Sequence, residues 1–227
     1  MTSSPPAFDP VAALREVRQA IAASAAEAGR APQDVTLVAV SKQQPLERVE
    51  ALLAAGQRVF GENRVQEAQA RWQPLRPQAP GLELRLIGPL QTNKTADAVA
   101  LFEVIETLDR ERLAAALASA MAAQGRKPRL YIQVNTGEEP QKAGVPPREV
   151  EALLRAARET HGLLVEGLMC IPPADEPAGL HFALLRGLAA DLGLSKLSMG
   201  MSADYRTAVR FGATSVRVGS ALFGPRS

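Results

Sequence analysis

The chain has 227 residues, 46% of them hydrophobic and 22% charged, with 26 basic against 24 acidic side chains and a net charge of +2. That is enough apolar material for one sizeable core, so one domain over residues 1–227 is expected, and no like-charge block marks a nucleic-acid partner. Cys170 is the only cysteine, which excludes an intrachain disulfide and suits a reducing, cytoplasmic setting; with His161 and His181 it makes a poor metal kit.

Residues 1–8 are rich in Ser and Pro and are expected to fray, and they lack the basic-then-apolar pattern of a leader. No apolar run is long enough to cross a bilayer. Asp9 followed by Pro10 is an N-cap signal, and Val11, Leu14, Val17 and Ile21 recur at helical spacing up to Gly29, so an extra helix precedes the first strand.

From Val35 the pattern alternates. The run VTLVAVSK, from Val35 to Lys42, is apolar on both faces, as a strand covered on both sides should be. Strands are predicted over 35–41, 57–61, 83–88, 102–107, 129–135, 164–170, 196–199 and 215–219. Helices are predicted between them over 45–55, 63–73, 92–100, from an Asp109 cap to Gly125, from Pro146 to Gly162, over 177–192 with Leu180, Leu184, Leu185 and Leu188 as its apolar set, and over 202–211. Eight strands joined by helical crossovers are what a closed parallel (β/α)8 barrel of the TIM type requires. An open doubly wound sheet is disfavoured by that count and by the lack of a GxGxxG after the first strand. The chain stops at Ser227, soon after the eighth strand, so a second domain is not expected.

In such a barrel the chemistry lies where strands exit into βα loops. Those positions hold Ser41 and Lys42, Glu62 and Asn63, the segment GPLQTNK, Met169 and Cys170, SMGMS from Ser198 to Ser202, and RVGS from Arg217 to Ser220. Gly200 and Gly219 would let backbone N–H groups approach an anion, while Ser198, Ser202 and Ser220 supply hydroxyls, with Ser202 expected where the next helix begins. An ammonium between low-dielectric walls can lose its proton and act as a nucleophile, so the implied ligand carries a phosphate at one end and a carbonyl within reach of Lys42. Arg217 can only donate, and facing a heteroaromatic nitrogen it would keep that nitrogen unprotonated.

A lysine after a strand is most often a solvated charge, and Ser before a helix is most often a cap. The two loops together outweigh those plainer readings. Asp204 would repel a dianion and is expected to face solvent. Tyr131, Tyr205 and Trp72 read as packing, and Cys170 as a small buried residue.

The segments AVSK, FGENRVQE, IGPLQTNK, KAG, GLMCIPP, LSMGMSADY and RVGSALFG, spread over nearly the whole chain, resemble the pyridoxal phosphate homeostasis proteins (the YggS/PROSC family), which share the barrel of the alanine racemase N-terminal domain. The resemblance implies that Lys42 carries pyridoxal 5'-phosphate (PLP) as an internal aldimine, that Arg217 faces the pyridine nitrogen, that Ser198, Gly200, Ser202, Gly219 and Ser220 surround the phosphate, and that Asn63 lies beside the cofactor. Gln43 and Gln44 depart from the Thr and Lys that many members carry there. The function implied is intracellular PLP (vitamin B6) homeostasis without catalytic turnover, by a monomer with PLP-dependent apoenzymes as candidate recipients, no nucleic acid and no membrane. An amino acid racemase is the alternative, although it needs a second proton carrier that an additional domain supplies in alanine racemase. A Schiff-base aldolase is a third reading, with Glu62 as its one nearby acid or base.

Overall fold

The computed structural model describes residues 8–224, so the frayed segment expected at the N-terminus lies outside the described residues up to position 7. Helix α1 (Pro10–Glu27) is capped as its sequence implies: the Asp9 carboxylate accepts from the Val11 and Ala12 N–H groups at 2.8 and 3.1 Å. Its buried face of Leu14, Val17 and Ile21 packs against the last helices of the chain.

Eight parallel strands close on themselves in sequence order: β1 (Thr36–Val40), β2 (Val59–Glu62), β3 (Glu83–Leu86), β4 (Val104–Leu108), β5 (Arg129–Val134), β6 (Val165–Cys170), β7 (Lys196–Ser198) and β8 (Ser215–Val218). Closure is made by β1, which pairs Ala39 with Phe60 of β2 and Leu37 with Val216 of β8. Around them lie α2 (Leu46–Ala54), α3 (Val65–Leu75), α4 (Thr95–Leu101), α5 (Glu111–Gln124), α6 (Val150–Arg155), α7 (Ala178–Asp191), α8 (Tyr205–Arg210) and α9 (Ser220–Phe223). The TIM-type α/β barrel anticipated from the alternation is therefore present. No helix among the described residues is long and apolar enough to cross a membrane.

Several boundaries moved for identifiable reasons. Strand β2 starts two residues later than expected, because Gln57 closes α2 through its N–H to Leu52 O and spends its side-chain amide on Leu37 O and Val59 O. Asp109 is not the cap of α5: the capping position is Arg110, in extended backbone, and Asp109 pairs with the Arg110 guanidinium instead. The helix expected from Pro146 becomes a 3-10 turn, then α6, then a π turn over Ala156–Thr160. On α7 the buried residues are His181, Phe182, Leu185 and Ala189, while Leu180 and Leu184 face outward; a helix this rich in Leu does not show by spacing alone which stripe is buried.

Helix α8 starts at Tyr205, three residues after the expected Ser202, because residues 201–204 form a turn in which Asp204 accepts from the Met201 N–H at 2.6 Å. Gly200 precedes that turn at φ +92°, and a Cβ there would lie 2.5 Å from the Ala208 Cβ. Its bare backbone is what lets α8 sit against the barrel.

Candidate functional site

The end of β1 is fixed from both sides. Ser41 is fully buried, its N–H continues the β1–β2 pairing to Gly61 O at 3.1 Å, and its hydroxyl donates to Glu62 Oε1 at 2.7 Å. The same carboxylate oxygen accepts from Trp72 Nε1 at 2.9 Å and faces Arg71 Nε at 3.5 Å. Lys42 follows, half-buried, in a turn closed by the Gln44 N–H to Ser41 O at 3.1 Å. Arg71 then clamps Gln44 O at 2.9 Å. Within this turn Gln43 sits at φ +56°, a left-handed conformation that a non-glycine residue adopts only under local constraint.

Lys42 forms one wall of a pocket of about 330 Å³ at the C-terminal end of the strands. Arg217, Gly219 and Ser220 line it from β8 and the start of α9, Ser202 and Met201 from the turn before α8, and Asn63 from the end of β2. Val40, Ile87 and Ile171 supply apolar surface, with Gln44 and Ala203 completing the lining. Asn63 is held there by a close approach: a Cβ on Gly88 would fall 2.3 Å from Asn63 O. The wall carries two cations, and among the described residues no carboxylate.

Of the eight residues singled out in the sequence, the structure brings Lys42, Asn63, Ser202, Arg217, Gly219 and Ser220 onto this wall. Ser198 and Gly200 are not among its lining residues. Ser198 points into the closed interior of the barrel, fully buried, where its hydroxyl donates to Glu106 Oε2 at 2.6 Å and accepts from Arg217 Nη1 at 2.6 Å. Gly200 serves the packing of α8, and its carbonyl accepts the Arg217 N–H at 2.9 Å. Asp204, expected in solvent, is half-buried and holds the Met201 N–H.

The polar groups on the wall are prepared for an anion. Ser202 Oγ accepts from the Gly219 and Ala221 N–H groups at 3.1 and 3.3 Å, which occupies its lone pairs and leaves its own proton for an acceptor in the pocket. Arg217, 3% exposed, donates through Nη2 to Cys170 O at 2.7 Å as well as to Ser198. Sequence reasoning passed over Gln44, whose Oε1 is buried on this wall with no hydrogen-bond partner; such an acceptor costs about 1–3 kcal/mol until a donor reaches it. Strand parity could have found Val40 and Ile87, which share a face with Lys42 and Arg85, whereas Gln44 stands out in the sequence only as a departure from the family's usual residue, with nothing to mark it as a lining group.

Burial pushes the Glu62 carboxyl above its ordinary value, against its hydrogen bonds from Ser41 and Trp72 and the charge of Arg71. Burial likewise pushes the Cys170 thiol up to about 12, so this cysteine is a packed, unreactive group.

Residues 16–227 match the family model described as alanine racemase, N-terminal domain. The pyridoxal phosphate homeostasis protein of Escherichia coli is 36% identical over 222 residues, covering 94% of this chain and 95% of that one. Its counterpart in Pseudomonas aeruginosa is 41% identical over 218 residues, covering 94% of each. The chain belongs to the pyridoxal phosphate homeostasis protein family. A solved structure similar to this member, PipY of Synechococcus elongatus with PLP bound, superposes at a TM-score of 0.84 with 38% identity, covering 95% of this chain and 100% of that one. The alanine racemase of Bartonella henselae shares the fold alone, with a TM-score of 0.72 at 18% identity, covering 96% of this chain and 58% of that one.

Proposed function

We propose that this chain binds PLP in the pocket at the ends of β1 and β8, holds it covalently and reversibly on Lys42, and serves intracellular PLP homeostasis as a cytoplasmic, monomeric single domain. The observation that carries this is the convergence of Lys42, Arg217, Ser202, Gly219 and Ser220 on one pocket, in a chain 38% identical to a protein solved with PLP in place. The donor set fits the group. A cationic wall with no carboxylate among the described residues suits a phosphate, the Ser202 hydroxyl is left as a donor, and the volume lies at the small end of ligand pockets.

When bound, PLP supplies an aldehyde that an amine takes up reversibly with loss of water. Lys42 is the amine on this wall, and the doubly clamped turn at the end of β1 carries its backbone there. Arg217 lines the same pocket and would face the ring nitrogen, where a guanidinium, having no acceptor, would leave that nitrogen free of a proton. The hydroxyls of Ser202 and Ser220 would take the phosphate, with the Gly219 N–H holding Ser202 Oγ in place. Val40, Ile87 and Ile171 would exclude water from the ring.

A role without turnover is favoured over racemisation by the same wall. Moving a proton between two faces of a carbon needs a second carrier opposite the lysine, and among the described residues the lining has no Tyr, His, Cys, Asp or Glu. The implied recipients of the held PLP are PLP-dependent apoenzymes.

Protein incubated with PLP and dialysed is expected to be yellow, and Lys42→Ala to lose the colour. Wild-type protein that stays colourless sinks the proposal. Loaded protein incubated with L-amino acids in deuterated water is expected to leave their α-protons in place, whereas rapid exchange with formation of the D-form establishes a racemase instead.

A further inference from the structure

The lumen of the barrel holds a run of charged groups that ends at the pocket. At the N-terminal pole, Arg129 Nη2 donates to Glu83 Oε2 at 2.5 Å, and Glu83 Oε1 accepts from Arg85 Nε at 2.7 Å. Arg85 Nη1 then donates to Glu106 Oε1 at 3.0 Å. The other Glu106 oxygen accepts the Ser198 hydroxyl at 2.6 Å, and Ser198 accepts from Arg217 Nη1 at 2.6 Å. Arg85, Glu106, Ser198 and Arg217 are all buried.

Each link has only one possible polarity. An ionised carboxylate accepts and a guanidinium donates, so the single Ser198 proton goes to Glu106 and its lone pairs face Arg217. The direct approach of Arg217 to Glu106 is 4.0 Å, so the hydroxyl is the link between them. With Nη2 fixed on Cys170 O at 2.7 Å, the planar guanidinium is pinned at two points and its remaining N–H groups are aimed by that plane. Two other ionisable groups in this region do not supply charge. Burial pushes the Tyr131 phenol up to about 12 and the Cys170 thiol up to about 12, which leaves both neutral beside the guanidinium groups.

We infer that Glu106, acting through Ser198, is the positioning residue for Arg217, fixing the plane in which this guanidinium meets the ring of the pocket's ligand. The ladder itself is independent of what binds, but the ring at its end rests on the PLP reading above. Glu106→Gln is the discriminating change, because it keeps the volume while an amide N–H turned toward Ser198 removes the acceptor that fixes the Ser198 proton and puts a donor in its place, so the hydroxyl no longer has one orientation toward Arg217. Ser198→Ala removes the link and leaves the Arg85 to Glu106 pair in place, which covers the case in which Glu106→Gln does not fold.

Two measurements test this, on wild type and both variants, with folding checked by circular dichroism. The first needs no cofactor: nitrogen-15 spectra of the arginine side chains, with Arg217 assigned by its loss in Arg217→Lys. Separate, slowly exchanging Arg217 Nη signals are expected in wild type, and merged signals with proton exchange at least about tenfold faster in the variants. The second is the absorbance of added PLP as a function of pH, where both variants should shift toward the profile of Arg217→Lys and bind PLP about tenfold more weakly. Folded variants that keep the wild-type Arg217 signals, or that bind PLP with the wild-type pH profile, overturn the inference. Wild type that takes up no PLP sinks the function proposed above, while the first measurement still decides the ladder.

Discussion

Between the strands and the helices the packing is apolar: Phe60, Trp72, Phe102, Phe182 and Phe223 are fully buried there with Leu, Ile or Val from every strand but β2, which contributes Phe60. Inside the strands the only separate apolar cluster among the described residues is Val104, Tyr131 and Met169, beside Arg85, Glu106, Ser198 and Arg217. Strand β4 shows the contrast in neighbours, since Ile105 belongs to the outer layer and Glu106 to the lumen, and both are completely buried. The outer layer stabilises the barrel through area removed from water and asks little about orientation. The lumen costs desolvation of its charges, and what that cost gives in return is direction, because charged hydrogen bonds work only with their partners in place.

The widest gap between the layers is expected for Glu106→Leu. Leucine fits the size of the site, but it leaves Arg85 without its 3.0 Å carboxylate and Ser198 without an acceptor, so a loss of about 3–5 kcal/mol is expected in urea unfolding. Its neighbour should be far milder: Ile105→Val removes one methylene from the outer layer and should cost about 1 kcal/mol. If the two substitutions cost the same, the division into a stabilising layer and an orienting lumen fails.

The smallest effect is expected at Glu62, which lies where the two layers meet at the end of β2. Its carboxyl is held above the ordinary value of 4.5, mainly by burial, so the folded chain binds this proton more tightly than the unfolded chain does. The contribution to stability is therefore fully present below that ordinary value and is lost as pH rises through the raised one. Wild-type stability followed from acidic to neutral pH should fall relative to Glu62→Gln over this window. A difference that stays flat, or grows with pH, shows that Arg71 and the two hydrogen bonds govern this carboxyl and that burial does not.

Lys42, Arg217 and the glycine and serine loops were legible because each stands at the C-terminal end of an apolar run, and the barrel sends such ends to one pole. Ser198 was legible as a strand-end hydroxyl but not in its role. A hydroxyl at that position can meet a ligand or a neighbouring strand, and Glu106, distant in sequence, decides which. Gln44 was passed over because an amide after a turn carries no periodic signal, and its unpaired oxygen exists only once Arg71 has clamped the turn.

From order and composition alone follow the alternation of strands and helices, the closed barrel and the pole at which ligands bind, since these depend on local periodicity and on the handedness of crossovers. Tertiary structure alone decided which buried charges meet: Arg129, Glu83, Arg85, Glu106, Ser198 and Arg217 lie on five different strands, and no local pattern encodes their order across the lumen. The physical reason is range. Helix and strand propensities act over a few residues, whereas an ion pair inside a barrel exists only after the strands carrying its partners have closed into a ring.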